Sequence, residues 1–296
     1  MVYHSATLLE TSALFERSII TEVSKMSQKL SDTILEFIGE DARAVLQGQT
    51  TRNFVEAASG SVLEGAFCDL KGRVIADFCA AIVRDDYILM RTNTEIAAQL
   101  TSHLQKYLMF SKTTLSVSNM AVWACKTSSS IEPNSASDDA VRVKRPGNFT
   151  EVWARDGFVP HDVVTADEYQ THRLLHGDAR LAGTTIGKYL PQDLNYDLNG
   201  RIDFDKGCYT GQEIIARLHY RGEPKRRLRL LSLPIQSPIP AGEKIVNSEG
   251  KSVGSVIEAA ISDGVTLCLC EAVLDLENQA PSILGQAATV SDLQRF

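Results

Sequence analysis

The chain has 296 residues, of which 44% are hydrophobic and 23% charged. That composition excludes disordered, collagen-like and coiled-coil proteins, and the length can bury a core without disulfides or metal. Acids outnumber bases 37 to 30, for a net charge of −7, which disfavours a whole-surface grip on nucleic acid, DNA included, or on an anionic membrane but permits a local basic patch.

Residues 1–17 carry Glu10 and Glu16 and no basic segment, so they do not read as a signal peptide. No apolar run approaches the ~20 residues that span a bilayer. A cytoplasmic setting without membrane contact is expected. Asp41 to Gln49 reads as a helix with Ala42, Val45 and Leu46 on one face. Leu63 to Leu70 and Arg73 to Val83 read as strands around a Lys71-Gly72 turn, and Tyr87 to Arg91 as another strand. Ile96, Leu100, Leu104, Tyr107 and Leu108 predict a helix from Glu95 to Phe110. Residues 128–140 are small, polar and acidic, a surface loop. Val141 to Arg145 and Thr150 to Ala154 read as strands around Pro146-Gly147, and Asp167 to His176 as a helix. From residue 225 the pattern changes to short strands: Arg226 to Leu233, Lys244 to Val246, Ser252 to Ala260, Thr266 to Ala272 and Ala287 to Ser291. Gly turns separate them, and three of the nine prolines lie between Pro234 and Pro240. This is the pattern of a small barrel or sandwich. The reading is an α+β body over residues 1–224 and an all-β module over residues 225–296.

The densest unusual segment is Asp205 to Glu213, DKGCYTGQE. Thr210 and Glu213 have capping-box spacing, which starts a helix at about Gly211. Cys208 then lies just before a helix N-terminus, where backbone N–H groups favour a thiolate. Lys206 and Arg217 would add to that field. The alternative is a small buried filler ahead of an ordinary helix. Cys68, Cys79, Cys125, Cys268 and Cys270 read as buried thiols of a reducing compartment. His172 and His176 have i, i+4 spacing, but no third ligand is evident and no metal is expected.

Lys206 to Glu213 (KGCYTGQE) resembles the signature of the YgfZ branch of the folate-binding, glycine-cleavage T-protein-like (aminomethyltransferase-like) family. Leu46 to Thr51 (LQGQTT), Cys68 to Val74 (CDLKGRV), Leu190 to Asn195 (LPQDLN) and the stretch from Ala216 to Leu228 resemble other segments of it. The resemblance runs from about residue 30 to the C-terminus. It implies aminomethyltransferase-like folate-binding domains around a central cavity, closed by a C-terminal small β-barrel. It also implies binding of tetrahydrofolate or a related folate. The implied role is support of iron–sulfur cluster assembly or repair and of iron–sulfur-dependent tRNA modification, with iron–sulfur enzymes and tRNA as partners. Cys208 is then the reactive thiol at the mouth of a pterin-sized hollow, with Lys206, Tyr209, Gln212 and Arg217 around it. Tyr169 and Arg173, on one helix face, are expected against the folate.

The resemblance also marks departures. True aminomethyltransferases place a carboxylate on the pterin from an Arg-x-Glu-x-Gly stretch; here Arg173 to Gly177 has Leu175 at that position. Their Asp-Asp pair reads Ala76-Asp77 here, and Asp77 reads as a solvated strand residue. Asp32 stands where a second aromatic would be. These count against the alternative of an aminomethyltransferase of glycine cleavage. A third reading is a non-catalytic module that binds folate, tRNA or proteins. Arg217, Arg221, Lys225, Arg226, Arg227 and Arg229 form a basic cluster, either a cradle for a folate tail or RNA phosphate, or a charged strand edge. Arg217 is expected to be functional; Arg227 and Arg229 are expected to be edge charges.

Overall fold

A computed structural model describes residues 29–127, 134–155, 158 and 160–294. Residues 1–17 and the first part of the 128–140 loop lie outside the described residues. The rest of that loop is not wholly irregular, because Ser135–Ala136 pairs with the following strand.

Among the described residues, three antiparallel sheets and four α-helices build the molecule. The first sheet has the order β2-β3-β4-β1-β5, with β1 Asp32–Ile38, β2 Val62–Cys68, β3 Val74–Arg84, β4 Tyr87–Asn93 and β5 Thr114–Val117. Successive strand residues point to opposite faces, and in this sheet both faces are covered. Cys79, Ala81, Tyr87 and Leu89 face the second sheet. Phe78, Ala80, Ile82, Ile88 and Met90 face the main core. Helix α1 (Ala42–Gln49) and helix α2 (Thr94–Leu108) lie on that core side. Helix α2 buries Ile96, Ala97, Leu100 and Leu104, and the Asn93 side chain caps it by accepting from Glu95 N at 2.9 Å.

The second sheet has the order β6-β9-β8-β7: β6 Met120–Lys126, β7 Ser135–Ala136, β8 Ala140–Arg145 and β9 Phe149–Arg155. Helix α3 (Ala166–Leu175), capped by Thr165, leads from it towards the third sheet. Helix α4 (Gln212–Arg221) follows the Cys208 motif.

The third sheet has the order β15-β14-β11-β12-β13-β10-β16. Its strands are β10 Arg226–Leu233, β11 Lys244–Val246, β12 Ser252–Ser262, β13 Val265–Val273, β14 Ser282–Ile283, β15 Gln286–Ala287 and β16 Thr289–Ser291. The two edge strands, β15 and β16, are neighbours in the chain. The sheet must therefore curl until its edges almost meet, which makes a nearly closed barrel. Leu231, Leu233, Ile245, Val256, Cys268 and Cys270 fill the barrel. Leu228, Leu230, Ile257, Leu267 and Leu269 on the other face join the main core. No helix among the described residues is long and apolar enough to cross a membrane.

Candidate functional site

Segments far apart in sequence converge at the start of α4, and Lys206 ties them. Its Nζ donates to the carbonyls of Gln47 at 2.7 Å, Thr50 at 2.6 Å and Arg52 at 2.7 Å. These carbonyls lie at and just beyond the C-terminus of α1, where the helix dipole favours a cation. Burial pushes the Lys206 ammonium down to about 8, so it stays charged at neutral pH. Its Nζ also sits 4.8 Å from the centroid of the buried Tyr209 ring. Thr210 N donates to Gly48 O at 3.1 Å.

The expected capping box is absent. Thr210 Oγ1 donates instead to Gln49 Oε1 at 3.2 Å, and Gly211 is the N-cap at φ 86° with no side-chain cap. The cause is the turn between β2 and β3. A Cβ on Gly211 would lie 2.5 Å from Asp69 O, so only glycine lets the loop press onto that turn. Gly211→Ala is expected to cost about 2 kcal/mol or more, from left-handed strain and the clash together. A denaturant midpoint equal to wild type would refute this packing.

Cys208, four residues before α4, is exposed, whereas the other five cysteines are buried. The filler reading is therefore set aside. Gln212 Oε1 accepts from Tyr209 N at 3.3 Å, and Arg217 is exposed further along the helix. Cys208 itself lines none of the cavities described below, although Asp205 and Lys206 of its motif line one of them.

A buried charge network occupies the centre of the molecule. Glu151, fully buried on β9, accepts from Arg145 NH2 at 2.9 Å and from Arg180, and lies 3.4 Å from Arg91 Nε. Tyr169 donates to it at 2.6 Å. Arg201 bridges Asp178 at 2.5 Å and Glu64 at 3.2 Å, and Arg145 also meets Glu64. Asp32 lies 3.3 Å from both Arg91 and Arg180. Four arginines thus balance four carboxylates. Desolvation alone would raise the carboxyls, but the arginines hold Glu151 and Asp178 well below the usual carboxylate range. Asp77 is a correction to the sequence reading. It is buried, accepts from Leu181 N at 2.8 Å, and is held above the usual range by that burial.

Two cavities flank this network. One, of about 610 Å³, is lined by Glu64, Lys144, Arg145, Asp178, Asn199 and Arg201, among others. Of its lining residues, Arg145 and Asn199 carry a buried donor, Nε, and a buried acceptor, Oδ1, with no hydrogen-bond partner among the described residues. The other, of about 270 Å³, is lined by Asp32, Tyr169, Arg173, Arg180 and Glu258. There Arg173 grips Glu258 through two nitrogens, at 2.7 and 3.1 Å.

The sequence-predicted residues therefore fall into two groups. Lys206, Cys208, Tyr209, Gln212 and Arg217 surround the start of α4, while Tyr169 and Arg173 line the smaller cavity. No hydrogen bond, ion pair or cavity among the described residues joins the groups. Glu64, Arg91, Arg145, Glu151, Asp178, Arg180 and Arg201 were not singled out from sequence. For Glu64, Arg91, Arg145 and Glu151 the signal is a charge at an inward strand position, as Glu151 shares its face with buried Phe149 and Trp153; Asp178, Arg180 and Arg201 lie outside the strands and carry no such signal. The two histidines are engaged locally. His172 Nε2 lies 2.7 Å from Pro146 O, and His176 Nδ1 lies 2.9 Å from His172 O.

No family model matches the chain. The chain is similar to two proteins called tRNA-modifying protein YgfZ, from Aliivibrio fischeri strains MJ11 and ATCC 700601 / ES114. Each is 30% identical over 266 residues, which is 82% of this chain and 83% of the relative. A protein of the same name from Vibrio atlanticus strain LGP32 is 32% identical over 225 residues, 70% of this chain and 69% of that one. Among solved structures, the glycine cleavage system aminomethyltransferase T from Bartonella henselae matches with a TM-score of 0.67 at 12% identity. The match covers 92% of this chain and 89% of that chain. This likeness shows a shared fold.

Proposed function

The chain belongs to the YgfZ family, and from that membership we propose a folate-binding accessory factor that supports iron–sulfur enzymes in tRNA modification, with Cys208 as its reactive thiol. One observation carries the reading. Of six cysteines, Cys208 alone is exposed, and its loop is pinned by Lys206 to three carbonyls. A fixed, accessible thiol suits a group that meets a partner macromolecule. Lys206, Tyr209, Gln212 and Arg217 form its surroundings. Such partners place the protein in the cytoplasm.

The cavity of about 610 Å³ has the size of a cofactor site, and the one of about 270 Å³ falls below that range. Of the two cavities that flank the network, we therefore place the folate in the one of about 610 Å³. The donor set fits. A pterin edge carries N–H donors and ring acceptors, and this cavity holds one unpartnered acceptor, Asn199 Oδ1, and one unpartnered donor, Arg145 Nε. Lys144, exposed at the cavity, suits the carboxylates of the tail. A reduced folate, when bound, supplies a one-carbon unit. Tyr169 and Arg173 support this site through the network, by way of Glu151 and Asp178. The site is separate from the thiol. Glu64 lines the cavity from β2, and Asp69, whose carbonyl meets the Cys208 loop, is five residues on, about 17 Å along an extended strand.

Aminomethyl transfer is not favoured. Ala76 is fully buried and Leu175 packs against the main core, so neither position offers a carboxylate.

Calorimetric titration with tetrahydrofolate tests the cofactor. Wild type is expected to bind, and Asn199→Ala to bind up to about tenfold more weakly, the value of one hydrogen bond. Absence of binding by wild type would sink folate binding. Equal affinity in the variant would sink this placement.

A further inference from the structure

A third cavity, of about 620 Å³, opens beside the Cys208 motif, with Lys206 in its wall. Phe204, His219 and Tyr220 form its aromatic side. The Phe204 and His219 rings stack at 3.6 Å between centroids and 13° between planes. Tyr220 stands edge-on to both, at 6.2 and 4.8 Å. Phe204 packs in part against the main core, whereas His219 is exposed and Tyr220 is 63% exposed.

The polar side of the cavity is mostly satisfied within itself. Arg52 Nε pairs with Asp203 at 2.9 Å, Asp203 accepts from Asn53 N at 2.6 Å, and Asn53 donates to Glu56 at 2.8 Å. Asp205 differs. Its carboxylate is exposed and has no hydrogen bond or ion pair among the described residues.

The basic cluster also divides. Arg226 pairs with Glu271, Arg227 with Asp197, and Arg229 donates to Leu274 O. Arg217 and Arg221 are exposed and pair with nothing among the described residues. Arg217, Tyr220 and Arg221 are spaced i, i+3, i+4, so the two cations share the helix face of the exposed ring.

A stacking surface, a lone carboxylate and two cations on one face match single-stranded RNA. Aromatic faces stack unpaired bases. A carboxylate accepts two adjacent N–H donors, which guanine presents on its pairing edge. Arginines hold the flanking phosphates. We infer that the Phe204–His219–Tyr220 cleft takes an unpaired guanine of an RNA strand, with Asp205 on its N–H edge and Arg217 and Arg221 on its phosphates. The cleft reaches the Cys208 motif through Asp205 and Lys206, which line it. This rests on the tRNA-modification reading and names its RNA contact.

The test is binding of labelled RNA hexamers, UUGUUU and UUAUUU, by fluorescence anisotropy. Wild type is expected to prefer the guanine hexamer by about tenfold. Tyr220→Ala is expected to weaken both by about tenfold. Asp205→Asn is expected to remove the guanine preference. Arg217→Ala with Arg221→Ala is expected to lower the salt slope by about 1.4, from two phosphates on a single strand. All four positions are solvent-facing, so folding is retained. No binding by wild type, or equal binding by Tyr220→Ala, overturns the cleft. Tyr220→Ala that binds RNA normally but lowers tRNA modification in cells also overturns it and assigns the cleft to a protein. A failure here while modification still depends on Cys208 leaves the family reading standing; loss of both removes both.

Discussion

Glu151→Gln is expected to destabilise the protein by about 3–5 kcal/mol, the cost of breaking a buried ion network by removing one charge. The residue is fully buried, and Arg91, Arg145 and Arg180 all approach it. Its neutralisation leaves one positive charge without compensation in a place water does not reach. At a few degrees per kcal/mol for a chain of this size, the thermal midpoint falls by about 10 °C. Glu249→Gln, which breaks the exposed pair with Lys251, is the contrast: it should cost less than about 1 kcal/mol. Equal effects from the two changes would show that the network is solvated. The same charges set the acid response. Glu151 and Asp178 have folded values depressed by their arginines, so their stabilisation is present above the unfolded carboxylate range, about pH 4. It is lost as pH falls below that range towards the folded values. Stability of Glu151→Gln should therefore vary less with pH below about 4 than that of wild type. Because Arg145 and Arg180 reach from Glu151 into the two flanking cavities, the variant should also bind tetrahydrofolate more weakly.

Much of the architecture was legible because local pattern and burial agree. Helix α2 shows its core stripe as Ile96, Leu100 and Leu104. Strand β4 opens on an apolar run, Tyr87 to Met90, because both of its faces are covered. Strands β1, β5 and β6 were not anticipated. Strand β1 carries Asp32, Thr33 and Glu36 among its apolar residues, β5 is four mostly exposed residues, and β6 is an apolar run without alternation. The Cys208 segment stood out by its composition, yet its helix start could not be read locally. Gly211 caps α4 because a carbonyl from the β2–β3 turn leaves no room for a side chain. The central network escaped notice for a related reason. Its members are scattered over strands β1, β2, β4, β8 and β9 and over loops at Asp178, Arg180 and Arg201, and only the folded chain brings them together.

Cys208→Ala is the other change with a large expected effect, and it acts on function rather than folding. An exposed thiol contributes little to stability, so the unfolding midpoint should stay within about 0.5 kcal/mol of wild type. Removal of a reactive nucleophile, by contrast, costs at least about tenfold in the step it serves. The direct measurement is methylthiolated tRNA, quantified by mass spectrometry in cells that carry only the Cys208→Ala chain at wild-type abundance. A fall of about tenfold or more, towards the level of cells without the protein, is the expected result. Methylthiolation equal to wild type, with the variant folded and present, would contradict the role assigned to this thiol.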